Sequence, residues 1–155
     1  MKNKIFVGEF IGSALLVMAI VGSGIMAESL TNDTAVMLLA NAVATGAALY
    51  FLIVSISDIS GAHFNPFVTL AMYLSKKIKS QLLPVYFTAQ ILGCLTGVML
   101  ANFFFDYSLI ELSSKSRSGI NVFVSEIIAT FGLIFIIFRT IKGGKVLVAT
   151  SVATF

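Results

Sequence analysis

The chain has 155 residues, 58% of them hydrophobic and only 11% charged, with a mean hydropathy of +1.02, whereas soluble domains carry about 25% charged residues. A soluble chain of this size lacks the interior volume to hide so much apolar side chain, so much of its surface faces lipid; this excludes a soluble enzyme, a nucleic-acid binder and a disordered tail. The net charge of +3 reports topology rather than affinity for nucleic acid, and the lone Cys94 leaves no partner for an intrachain disulfide.

About 20 apolar residues cross the ~30 Å hydrocarbon core as a helix. Residues 5–26 form the first predicted span. They follow Lys2 and Lys4 as a secretory signal would, but the run outlasts an apolar signal core of about 7–15 residues and Glu9 interrupts it. Residues 34–59 form the second span. Residues 60–75, reading SGAHFNPFVTLAMYLS, are apolar yet too short to cross. Residues 82–105 form the third span, opening near Pro84 where a first helical turn tolerates proline, and residues 120–141 form the fourth. A fifth apolar segment runs from Lys145 to Phe155, about half a crossing at ~1.5 Å per residue.

Charge sets the expected orientation. With the N-terminus inside and four crossings, Lys2, Lys4, Lys76, Lys77, Lys79, Arg139, Lys142 and Lys145 fall inside, and only Lys115 and Arg117 outside. That split is strongly positive-inside, and the acidic Glu28, Asp33, Asp106 and Glu111 fall in the outer loops. Both flanks of residues 60–75 are then cytoplasmic, so this segment returns to the side it entered from. A coil reaches mid-membrane and a half-helix, Asn65 to Ser75, leads back, with Asn65 suited to the N-cap and Pro66 to the first helical position. Non-helical backbone at that depth is tolerated only where protein covers it or it lines a wet cavity.

Two self-matches point to an internal repeat. The stretch starting Glu9-Phe-Ile-Gly-Ser aligns with Glu126-Ile-Ile-Ala-Thr, and Leu38-Leu-Ala-Asn-Ala-Val-Ala-Thr aligns with Leu147-Val-Ala-Thr-Ser-Val-Ala-Thr. The first copy starts inside and the second outside, so the copies are inverted. Residues 1–105 hold three spans plus the half-helix, and residues 120–155 a partial second repeat. Inverted repeats with paired half-helices are a channel and transporter architecture.

Glu9 and Glu126 are intramembrane carboxylates. One reading puts both near span ends, reaching the interface. The other makes them structural supports, Glu9 accepting hydrogen bonds from the N–H groups of the 60–64 coil and Glu126 from the equivalent coil of a second half. Asn65 as N-cap turns its side-chain oxygen to the amides of Phe67 or Val68, which leaves its NH2 free as a donor at mid-membrane beside the positive end of the half-helix. Gly61, Ala62, His63 and Phe64 supply the extended stretch, whose carbonyls line a path as acceptors. His63 reads as a structural histidine rather than a proton relay. A single histidine makes no metal site, the chain offers no Cys/His cluster, and no Ser-His-Asp set is visible, since the only histidine lies in this loop. Gly8/Gly12 and Gly93/Gly97 are small-residue pairs for close helix packing, Asn41 and Gln90 interhelical hydrogen bonders, and Cys94 a packing residue.

Ser60-Gly-Ala-His-Phe-Asn-Pro-Phe-Val-Thr-Leu70 resembles the first signature of the aquaporin and glycerol-facilitator family, in which Asn-Pro-Ala opens the half-helix. Glu9-Phe-Ile-Gly-Ser is similar to the family's first-helix motif and Ser125-Glu-Ile-Ile-Ala-Thr-Phe-Gly to its fourth-helix motif. The resemblance implies an all-α membrane protein, an aquaporin-like helical bundle with a re-entrant half-helix. It implies two half-helices meeting at mid-membrane, passive transport without a cofactor, and a homotetramer with one pore per subunit in the cell membrane. It also places Thr45 at a filter position on the second span, where a small polar residue implies a wider opening for glycerol-like polyols or neutral metalloid acids. Two departures stand out. Phe67 occupies the place of the usual alanine, and the second repeat lacks its half-helix, filter arginine and last span. The expectation is therefore an incomplete, non-conducting portion of a channel, with a half-size subunit or a non-transporting remnant that assembles with other chains as the alternatives.

Overall fold

The computed structural model describes residues 1–111 and 118–155. Lys115 and Arg117, the outer cations of the charge count, lie outside the described residues. Among the described residues six α-helices follow in order: α1 (Lys2–Leu30), α2 (Thr34–Ser60), α3 (Pro66–Leu74), α4 (Leu83–Phe104), α5 (Ile120–Thr140) and α6 (Lys145–Thr154). No strand occurs among the described residues. Four helical stretches of the described residues are long and apolar enough to cross a membrane, and α6 is a shorter apolar helix.

The helices start and stop for local reasons. The carboxylate of Asp33 accepts hydrogen bonds from the amides of Ala35 (2.8 Å) and Val36 (3.2 Å), capping α2. Gly61 ends α2 in the left-handed region at φ 97°, its N–H donating to the carbonyl of Ser57. Asn65 caps α3, with Pro66 in the first turn. A 3-10 turn, Ser80–Leu82, leads into α4, with Pro84 in its first turn. The main difference from the sequence reading is α1, which runs 29 residues and so about 44 Å. Hydropathy marks where hydrocarbon ends, but the backbone hydrogen-bond ladder continues into the headgroup layer, and a helix this long tilts or protrudes. Replacing Asp33 by alanine removes the α2 cap and costs about 1 kcal/mol; faster hydrogen exchange confined to the amides of Ala35 and Val36 is the expected readout.

α1 packs along α4 and α2, and α6 packs against α2. The α1–α4 approach is close because Gly93 and Gly97 face α1. A Cβ at 93 would stand 2.5 Å from the carbonyl oxygen of Phe10, and one at 97 would stand 2.4 Å from that of Ala14. Asn41 ties α2 to α1 through the carbonyl of Ile20 (2.7 Å) and the hydroxyl of Ser23 (3.0 Å). The core gathers Leu52, Ile53, Ile56, Phe64, Val68, Met72, Ile137, Ala149 and Val152, joining α2, the re-entrant segment, α5 and α6. Large apolar side chains such as Leu38, Leu95 and Ile128 are exposed, as a lipid-facing surface requires.

Candidate functional site

The site grows from the coil between α2 and α3. After Gly61 the chain holds Ala62 (φ 52°) and Phe64 (φ 50°) in the left-handed region, which costs an L-residue about 1–2 kcal/mol each. What offsets this is Glu9. Its side chain is fully buried on α1. One carboxylate oxygen accepts from the hydroxyl of Ser60 (2.6 Å) and the amide of His63 (3.0 Å), and the other from the amide of Phe64 (2.8 Å) and the Nε2 of Gln90 (2.8 Å). A buried carboxylate needs such donors, and loop amides at this depth need an acceptor.

A second layer fixes the loop from α4. Tyr86 donates its hydroxyl to the carbonyl of Ser60 and stacks on His63, with ring centroids 4.6 Å apart. Gln90, one turn further along, donates from Nε2 to Thr69 (3.0 Å) as well as to Glu9. The Nδ1 of His63 lies 3.0 Å from the hydroxyl of Thr69. The ring of Phe64 fills the space beside Gly12, where a Cβ would come within 1.9 Å of it. Tyr86 and Thr69 do not stand out in the sequence alone. The available signal was their spacing: Tyr86 and Gln90 share one face of α4 (i, i+4), and Thr69 lies one turn after the cap.

Asn65 accepts from the amides of Phe67 (2.8 Å) and Val68 (3.3 Å) through Oδ1. Its Nδ2 makes no hydrogen bond with any described residue. The ring of Phe67 is exposed at the tip of α3 (60%). Gly61, Ala62, His63, Phe64 and Asn65 all border one cavity of about 480 Å3. Its opposite wall is apolar, with Leu133 and Ile137 from α5 and Val148 and Val152 from α6. Lys145 stands at its edge and pairs with Asp58 at the end of α2.

Two residues picked out by sequence stand elsewhere. Thr45 does not border the cavity; Leu49 and Ile53 represent α2 there, and the hydroxyl of Thr45 is buried without a partner among the described residues. Glu126 is exposed on α5 and holds no described loop, because the coil it would support has no counterpart among the described residues. Those residues also contain no cluster of side chains able to hold a metal ion.

The arrangement is an amphipathic cavity with a strip of loop backbone and the Asn65 amide on one side and hydrocarbon side chains on the other. The family model described as Major intrinsic protein matches residues 2–155. The chain is 43% identical over 136 residues to the aquaglyceroporin AqpS of Rhizobium meliloti (strain 1021), covering 88% of this chain and 58% of that protein. It is 34% identical over 148 residues to the probable aquaporin TIP2-2 of Oryza sativa subsp. japonica, covering 92% and 58%. It is 34% identical over 140 residues to aquaporin NIP3-1 of Arabidopsis thaliana, covering 84% and 43%. The chain thus spans somewhat over half the length of the first two relatives and less of the third. A family match along the whole chain, on helices built to sit in lipid, makes this an integral membrane protein belonging to the major intrinsic protein family.

Proposed function

We propose that the protein carrying this chain is a passive membrane channel for small neutral solutes, glycerol-like polyols and neutral metalloid acids, with water secondary. The observation that carries this reading is Asn65, which caps α3 through Oδ1 and keeps Nδ2 unpartnered beside a cavity with an apolar far wall. A polyol has hydroxyls on one edge and carbon on the other. Its hydroxyls meet the Asn65 amide and the carbonyls of Gly61, Ala62 and His63, while its carbon backbone slides along Ile137, Val148 and Val152. The helix N-terminus adds partial positive charge at Asn65, which disfavours cations. The name of the relative from Rhizobium meliloti, an aquaglyceroporin, supports the solute class. Thr45, though off this cavity wall, is the α2 residue we assign to the outer filter.

In this reading the N-terminus is cytoplasmic, the protein lies in the cell membrane as a homotetramer, and residues 1–105 and 120–155 belong to two inverted repeats. Glu9 and Pro66 support the first re-entrant loop, and Glu126 supports that of the second repeat. Each path needs a further wall opposite α3. Stopped-flow swelling of proteoliposomes in a glycerol gradient tests the function: solute-driven swelling well above that of protein-free vesicles is expected, reduced at least tenfold by Asn65→Asp. Water flux with no glycerol flux would overturn it.

A further inference from the structure

The hydroxyl of Thr69 sits at the junction of three contacts, and its proton count is restrictive. Glu9 can only accept, so the amide of Gln90 must turn Nε2 toward it. The second hydrogen of that same Nε2 then points to the oxygen of Thr69 at 3.0 Å, which therefore accepts. Thr69 has one proton left to give. It can go to the carbonyl of Asn65 at 3.1 Å or to Nδ1 of His63 at 3.0 Å. Given to Asn65, the proton leaves a lone pair on Thr69 for an Nδ1–H of His63, and all three contacts are hydrogen bonds. Given to Nδ1, it leaves the contact with the Asn65 carbonyl unmade. The Asn65 carbonyl already accepts the N–H of Thr69 at 3.0 Å, and the first arrangement adds the hydroxyl to its second lone pair, so it makes one hydrogen bond more than the other around the same atoms.

Resting on the proposed pathway, we infer that Thr69 holds His63 as the Nδ1–H tautomer, so that the imidazole offers its Nε2 lone pair to the cavity as an acceptor for a solute hydroxyl. Nε2 has no partner among the described residues and is not one of their sealed-off polar atoms, and His63 borders the cavity. Gly61 keeps it uncovered, since a Cβ there would stand 3.2 Å from Nε2. Tyr86, stacked on the ring face, holds the ring plane so that the tautomer fixes what the edge presents. Two residues along, Asn65 offers a donor to the same cavity. An acceptor beside a donor suits a hydroxyl, which needs both, and makes His63 an orienting contact for a hydroxylated solute, with Thr69 the positioning residue behind it.

His63 is the only histidine in these 155 residues, and the ring-15N-histidine signals that vanish in His63→Asn are its pair of nitrogen resonances. In the full protein in lipid nanodiscs, Nδ1 is expected to be the protonated, pyrrole-type nitrogen and Nε2 the pyridine-type one. Adding glycerol should move the Nε2 resonance and leave Nδ1 in place. Thr69→Val should collapse the difference between the two nitrogens as the tautomers mix; if that variant does not fold, the unaltered protein decides alone. A protonated Nε2, as the other tautomer or as imidazolium, overturns the inference. So does an Nε2 resonance that ignores glycerol in a preparation whose vesicles pass glycerol. The tautomer is read without solute, so vesicles that pass no glycerol sink the proposed transport and leave the nitrogen assignment to be judged separately.

Discussion

Glu9→Ala is expected to unfold the re-entrant segment before it unfolds the helices. The substitution removes the acceptor of four donors in a buried place; the Ser60 hydroxyl can rotate, but the amides of His63 and Phe64 and one N–H of the Gln90 Nε2 are left orphaned. An orphaned buried donor costs about 1–3 kcal/mol, so three of them cost on the order of 5 kcal/mol, less whatever is regained by no longer burying a carboxylate. For a chain of this size, that lowers Tm in detergent by roughly 10–20 °C. The left-handed conformations of Ala62 and Phe64 then keep only the contacts of Tyr86 with Ser60 and His63 to offset them. Glu9→Gln should be milder. Its amide keeps one accepting oxygen, and Gln90 can turn to meet the new NH2 with its own Oε1, which lacks a partner in the native packing. Still, a loop amide stays unmet. The order expected is wild type above Glu9→Gln above Glu9→Ala, in Tm and in exchange protection of the His63 and Phe64 amides. Equal protection in all three would show that the loop holds itself.

How far the sequence foretells this arrangement differs from residue to residue. The four spanning helices are legible because lipid imposes a length, and hydropathy measures it directly. The helix behind Asn65 is legible because capping is local: an asparagine, then a proline, at the start of an apolar run too short to cross. Gln90 and Asn41 betray themselves as polar groups in apolar spans, which must find partners. Tyr86 and Thr69 do not. A tyrosine on a membrane helix has many ordinary uses, and only the tertiary placement of α4 against the loop gives this one the Ser60 carbonyl and the face of His63. Thr45 shows the reverse limit. Counting along α2 gives a position, but which residues of a helix face a cavity depends on its rotation about its own axis, and here Leu49 and Ile53 take the wall. Glu126 matches Glu9 in sequence, yet a matched residue acquires its role only from the segment it touches, and its neighbours here leave it exposed.

Alanine at both Gly93 and Gly97 should loosen the site from a distance. Each new methyl would lie within 2.5 Å of a carbonyl oxygen of α1, and backbone cannot swing aside as a side chain can. Overpacking of this kind costs about 1–3 kcal/mol per position, offset by up to ~1 kcal/mol of helix propensity gained. The two costs should not add. Phe10 and Ala14 are spaced by four on α1 as Gly93 and Gly97 are on α4, so one outward shift of α4 relieves both clashes at once. The double variant should therefore lose about 3 kcal/mol, or roughly 6–12 °C in Tm, little more than either single one. The same shift carries Gln90 away, since it precedes Gly93 by one turn, and stretches its 2.8 Å bond to Glu9. Loss of exchange protection at His63 and Phe64 should thus accompany the fall in Tm, although neither residue touches the new methyls. Gly22→Ala on α1 is the control, because its Cβ meets only the Phe105 ring at 3.4 Å, an ordinary contact. A double variant as stable as Gly22→Ala would mean that α1 and α4 are free to separate without cost, and that the loop is not anchored through their contact.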